Sequence, residues 1–185
     1  MYIIKHRVTS FEEIPPKFHV EIDVHDHNGI LVVSHDLPNP DSQSLEIFLK
    51  HFPKDKFLAI NVKTCGIEKK LSYLLNLYSV NYFAFDFSIP CLLDALNQQI
   101  VCALRLSEYE KEIFEGPQWI WLDSFHSIWF DEKYVESLKN KGFQISVVSP
   151  ELHGRINESD FIKIKYLVKK NLIDAICTKF PDMWI

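Results

Sequence analysis

The chain has 185 residues, 47% of them apolar and 14% aromatic, which is enough for one domain with a sizeable core and excludes a disordered chain. Its net charge is −5 with no basic run, which argues against a nucleic-acid partner. Its five glycines form no phosphate-cradling loop, its first residues lack a signal-peptide core, and no apolar run reaches membrane-spanning length.

In chain order, residues 2–5 (YIIK) read as a first strand ending in His6 and Arg7. Ser10 and Glu13 have capping-box spacing, but Pro15 and Pro16 limit any helix there to about one turn. Residues 20–24 (VEIDV) alternate apolar and acidic side chains, the period of a strand with two distinct faces, so Glu21 and Asp23 share a face. Asn28-Gly29 is a turn signal, and residues 30–33 (ILVV) return as a strand leading into Ser34, His35 and Asp36. That return brings His35 towards the end that carries both carboxylates. Two carboxylates and an imidazole at one strand end suit a hard divalent cation and proton transfer. Taken alone, an acidic pair on a strand is more often a solvated face.

Residues 44–51 form a helix stopped by Pro53, and residues 57–62 (FLAINV) a third strand ending at Asn61 and Lys63. An amphipathic helix over 67–78 is followed by a strand over 82–87 and a short helix over 89–97 with Pro90 at its start. Residues 100–106 are a fifth strand carrying Arg105, and 107–115 a charged helical turn. Residues 119–125 are a sixth strand with Asp123 near its end, and a helix over 131–141 stops at Gly142. A seventh strand over 143–148 leads to Glu151; a helix over 158–170 precedes an eighth strand over 174–178, followed by Lys179. Strand–helix alternation predicts a parallel sheet with helical cover. Eight such units predict a compact (β/α)8 TIM-type barrel, a single domain over residues 1–185. The chain is shorter than the usual ~250 residues, so several crossovers must be minimal; a doubly wound open sheet is the alternative.

In such a barrel the chemistry sits at the C-terminal strand ends. The polar residues there are His6, Arg7, Glu21, Asp23, His35, Asn61, Lys63, Asp86, Arg105, Asp123, Glu151 and Lys179. Structural roles compete: Lys63 and Lys179 as partners of the carboxylates, Asp86 and Asp123 as loop caps, Arg7 as a surface charge. His19, His25, His27, His51 and His126 read as loop or surface residues. His153 and the loop it shares with Glu151 and Arg155 suit substrate specificity or structural salt bridges.

This pattern resembles the glycerophosphodiester phosphodiesterase family, which shares its barrel with the phosphatidylinositol-specific phospholipases C. The resemblance rests on His6-Arg7 after a first strand, Glu21-Ile22-Asp23, and the run NGILVVSHD ending in His35-Asp36. Asn61-Val62-Lys63 stands where the family has E-x-K, and Thr178 to Asp182 (TKFPD) resembles its last strand. It implies a phosphoric diester hydrolase acting on a small glycerophospho- or sugar-phospho-diester. His6 and His35 would be the paired acid and base. Glu21, Asp23 and Asn61 would hold a divalent cation, Mg²⁺ or Ca²⁺. Arg7 and Lys63 would contact the phosphate, with Arg105, Glu151 and Lys179 as further substrate contacts.

The departures are Val8 for a glycine, Asn61 for a glutamate and Lys179 for an aspartate. The second weakens the ion site by one charge, and a cation at Lys179 or Arg105 could take over part of the ion's role. The alternatives are a lyase or aldolase-like barrel using Lys179 or Lys63 as a Schiff-base nucleophile, and a degenerate barrel that only binds a phosphorylated ligand. The four cysteines form no CxxC pair and read as free thiols of a cytoplasmic protein. Exposed edges on so short a barrel suggest a homodimer.

Overall fold

The computed structural model describes residues 1–185. Its strands are β1 (Tyr2–Lys5), β2 (His19–His27), β3 (Ile30–Val33), β4 (Gln43–Ser44), β5 (Phe57–Val62), β6 (Asn81–Phe85), β7 (Ala103–Leu106), β8 (Trp119–Leu122), β9 (Gln144–Val148) and β10 (Ala175–Thr178). Five α-helices follow some of them: α1 (Leu45–His51), α2 (Glu68–Tyr78), α3 (Ile89–Asn97), α4 (Glu132–Asn140) and α5 (Glu158–Lys169). Three helices start where a side chain satisfies an unpaired backbone donor. Ser44 accepts from the Ile47 amide, Asp131 from Tyr134 and Asn157 from Asp160. The expected capping box at Ser10 does not form. Glu13 instead accepts from the amide and hydroxyl of Thr9.

The parallel strands run in the order β6-β5-β2-β1-β10-β9-β8-β7. β3 folds back antiparallel on the end of β2, with Val24 opposite Val33, and β4 extends β3. The expected (β/α)8 TIM-type barrel is therefore corrected to a mixed α/β fold with one ten-stranded sheet that is curled but not closed. β6 and β7 meet at one bridge, Ala84 to Cys102, and not along a ladder. Helical cover is also incomplete. The β1–β2 connection has only a 3₁₀ turn (Phe11–Glu13), because Pro15 and Pro16 prevent it from growing. The expected helical turn over 107–115 is irregular, so no helix joins β7 to β8. The C-terminal strand ends nevertheless gather, because the curl carries the end of β6 against β8: the Phe85 and Trp121 rings stack 3.9 Å apart.

The alternation along each strand sorts side chains between two cores. Val20, Ile22 and Val24 of β2 join the larger apolar cluster under the helices, with Leu71 and Leu75 of α2. Ile4, Phe57, Ala59, Phe83, Phe85, Trp119, Trp121 and Cys177 fill the concave face. Burying each large side chain contributes roughly 1.5–3 kcal/mol. Glu21 pairs in register with Ala59, and Asp23 with Asn61, so both carboxylates face the concave side, on an aromatic floor.

Candidate functional site

The hairpin sets the local geometry. The Ser34 amide donates to the Asp23 carbonyl at 3.0 Å, so His35 follows directly beside the end of β2. The segment after β1 folds over the same end: the Val8 amide donates to the Glu21 carbonyl at 2.9 Å, and the Arg7 amide to Glu21 Oε2 at 2.7 Å. Arg7 pays for this with left-handed backbone, φ 61°, a conformation that costs a non-glycine residue on the order of 1–3 kcal/mol. The strained position is Arg7 itself; Val8 is an ordinary buried side chain.

Glu21 and Asp23 are 1% and 3% exposed, which is unusual for carboxylates without full pairing. Burial, then the neighbouring Asp23 charge, pushes the Glu21 carboxyl up to about 8. His6 Nε2 lies 3.8 Å from Glu21 Oε2. Burial and the surrounding cations Arg7, Lys179, His35 and Lys63 push His6 down to about 3, so its imidazole is neutral at physiological pH. Lys63 Nζ is 3.1 Å from Asp23 Oδ1. His35 is held through Nδ1 by Asp36 at 2.8 Å, which leaves its Nε2 free for proton transfer. Asn61 Oδ1 is buried, in register with Asp23, and has no hydrogen-bond partner.

No group of three or more His, Cys, Asp or Glu is placed to hold a metal. The oxygen donors present are Glu21, Asp23 and the unpartnered Asn61 amide. They fit a hard divalent cation with two anionic ligands and one neutral ligand, and the ion would relieve both the raised Glu21 and the orphaned oxygen. Lys63 would compete with the ion for Asp23.

Two of the expected substrate contacts are committed elsewhere. Arg105 bonds Asp86 through Nε at 2.9 Å and again through Nη2, and Asp123 through Nη1 at 3.2 Å. Glu151 accepts from the Ser149 and Thr178 hydroxyls and from the Lys179 amide, which leaves it no free role. Lys179 is exposed, and its charge reaches His6. A cavity of about 430 Å³ opens between the ends of β5 and β7, lined by Asn61, Lys63, Asp86 and Arg105 among others. A second, of about 420 Å³, lies beside His35 and is rich in hydroxyl and amide groups, including Thr9, Asn39 and Ser42.

His25 departs from its sequence reading, and of the two roles open to His153 the structure shows the salt bridge. His153 bonds Asp123 Oδ1 at 2.6 Å, and Asp123 is thereby shared with Arg105. His25 lies within β2, opposite Val32 of β3, with a buried, unpartnered Nε2, and so does not lie free on a loop. The strand period did place His25 with Glu21 and Asp23 at i+2 and i+4, the one signal that pointed to it.

No family model matches the chain, and no curated protein matches it.

Proposed function

We propose that the chain is a phosphoric diester hydrolase acting on a small glycerophospho- or sugar-phospho-diester, with His6 and His35 as the acid–base pair. The observation that carries this reading is the convergence of two imidazoles, two buried carboxylates and an unpartnered amide oxygen on one strand end, with Lys63 beside them. Water attacks phosphorus, directly or after a neighbouring substrate hydroxyl has formed a cyclic phosphate; the attacking O–H gives its proton to one imidazole, the P–O bond to the leaving oxygen breaks, and that oxygen takes a proton from the other. His6 enters neutral, the state that can take up a proton, and His35, held through Nδ1, keeps Nε2 for the other transfer. Lys63 and Arg7 supply positive charge for the phosphoryl oxygens. A divalent cation held by Glu21, Asp23 and Asn61 would neutralise further charge there. The hydroxyl-rich cavity beside His35 suits the uncharged polyol arm of such a diester. Arg105 is left out of the proposed phosphate contacts, since Asp86 and Asp123 already pair its guanidinium.

We place the reaction in the cytoplasm, a setting that suits four free cysteines. No helix is long and apolar enough to cross a membrane.

The test is turnover of a panel of glycerophosphodiesters and a chromogenic aryl diester, with Mg²⁺, Mn²⁺ or Ca²⁺ and with EDTA. Metal-dependent release that disappears in His6→Ala supports the hydrolase and the ion site together. Release that survives EDTA keeps the hydrolase and leaves charge neutralisation to Lys63 and Arg7. Release that is equal in His6→Ala and wild type removes the acid–base pair, and with it the proposal.

A further inference from the structure

Four cysteines occupy two kinds of environment. Cys102 and Cys177 are fully buried, and burial pushes both thiols up, Cys102 to about 12. Neither offers a thiolate to an oxidant. Cys65 and Cys91 differ. Cys65 is exposed on the loop between β5 and α2, and its Sγ lies 3.5 Å from the hydroxyl of Ser88, the residue that precedes α3. Cys91 sits in the first turn of α3, three residues after Ser88, so the Cys65 sulfur that reaches the Ser88 hydroxyl meets the turn that carries Cys91. The two cysteines are far apart in sequence, and the packing of α2 against α3 brings them together.

We propose that Cys65 and Cys91 form a dithiol modification site that peroxide converts to a disulfide. Cys65 is the exposed member and carries the attack; its thiol is lowered by the hydrogen bonds from Cys91 and Ser88. The Cys65 thiolate attacks one peroxide oxygen, the O–O bond breaks, and the departing hydroxide takes up a proton to give water. Cys65 is then a sulfenic acid. The Cys91 sulfur attacks the Cys65 sulfur, the S–O bond breaks, and the second oxygen leaves as water with the Cys91 proton. Two thiols and one peroxide become one disulfide and two waters. Cys91, the less exposed thiol, resolves the sulfenic acid from the adjoining helix turn.

The crosslink would tie the loop that follows Lys63 to the start of α3. Lys63, Ile89 and Leu92 line the 430 Å³ cavity, so the disulfide would fix one wall of it. The proposal stands on the meeting of Cys65 with the first turn of α3 and is independent of any hydrolase activity.

The test is treatment of the full chain with stoichiometric hydrogen peroxide, followed by intact mass and a peptide map without reduction. The expected result is a mass loss of about 2 Da for the pair of thiol hydrogens, one crosslinked peptide joining Cys65 to Cys91, and reversal by dithiothreitol. Amide exchange around Cys65 and Gly66 slows in the oxidised form. Cys65→Ser, at an exposed position, abolishes the crosslink, whereas Cys102→Ser leaves it unchanged. Oxygen additions at Cys65 without a crosslink, a covalent dimer through Cys65, or no reaction with wild type would each overturn the proposal. The wild-type map decides the matter even where a variant fails to fold.

Discussion

The two sides of the strand-end surface differ in how completely their polar groups are paired. On the side built by β7, β8 and β9, each buried carboxylate has its partners. Asp123 is shared by Arg105 and His153, Glu151 takes three donors, and Asp160 takes Arg155, which also holds Ser124. On the side built by β1, β2, β3 and β5, burial and the Asp23 charge raise the Glu21 carboxyl, and Asp23 has Lys63 as its one ion-pair partner. His6 is held neutral among cations, and Asn61 has an oxygen with nothing to bind. A buried polar group left unpaired costs about 1–3 kcal/mol, so the fold tolerates on one side what it has resolved on the other. Under the proposed function a bound cation and substrate would complete that arrangement. The side with paired carboxylates keeps one unpartnered buried hydroxyl, Ser146 of β9, and its charged pairs brace the β7–β8 loop, which has no helix.

The largest expected effect tests the unpaired side. His6→Ala and His35→Ala should each lower diester turnover by about 10²–10⁴-fold, measured as kcat, with little change in thermal stability. An equal loss of stability would instead make these histidines structural. Next comes the side with paired carboxylates. Asp123→Ala leaves Arg105 and His153 without their shared carboxylate and should cost about 3 kcal/mol in a urea titration, with turnover per folded molecule retained. A selective loss of turnover would show that the two sides are one site.

A smaller effect follows from Glu21. Its folded-state carboxyl is raised from 4.5 to about 8, so the folded protein binds that proton more tightly than the unfolded chain does. Its contribution is therefore fully present below 4.5 and is lost as pH rises towards 8. His6 acts in the opposite sense, its contribution growing from about 3 up to 6.5, so between 6.5 and 8 Glu21 is the only one of the two that changes. In that interval the melting temperature of wild type should fall while that of Glu21→Gln stays level. Added Mg²⁺ should recover part of the wild-type loss and none of the variant's. A variant that parallels wild type through the interval would mean that Glu21 is ionised throughout. The smallest effect is the baseline for both sides: Glu132→Gln breaks an exposed pair with Lys170, and no change in melting temperature or turnover is expected.

The sequence by itself determined most of the elements and one half of the site. Period-2 alternation in β2 put Glu21 and Asp23 on one face, and Asn28-Gly29 turned the chain so that His35 came back to them. These are contacts between neighbours in sequence, which local patterning encodes. The closure of the sheet was not legible, because one bridge at Ala84–Cys102 in place of a ladder depends on how the strands stack around the aromatic floor. Nor were the partners of Arg105. A strand-end arginine reads the same whether it faces a phosphate or two carboxylates, and Asp86 and Asp123 come from strands on either side of it. Cys65 and Cys91, His153 and Asp123, and the left-handed backbone of Arg7 were likewise settled by tertiary structure. Long-range packing chose which groups were satisfied and which were left open, and a one-dimensional pattern carries no record of that choice.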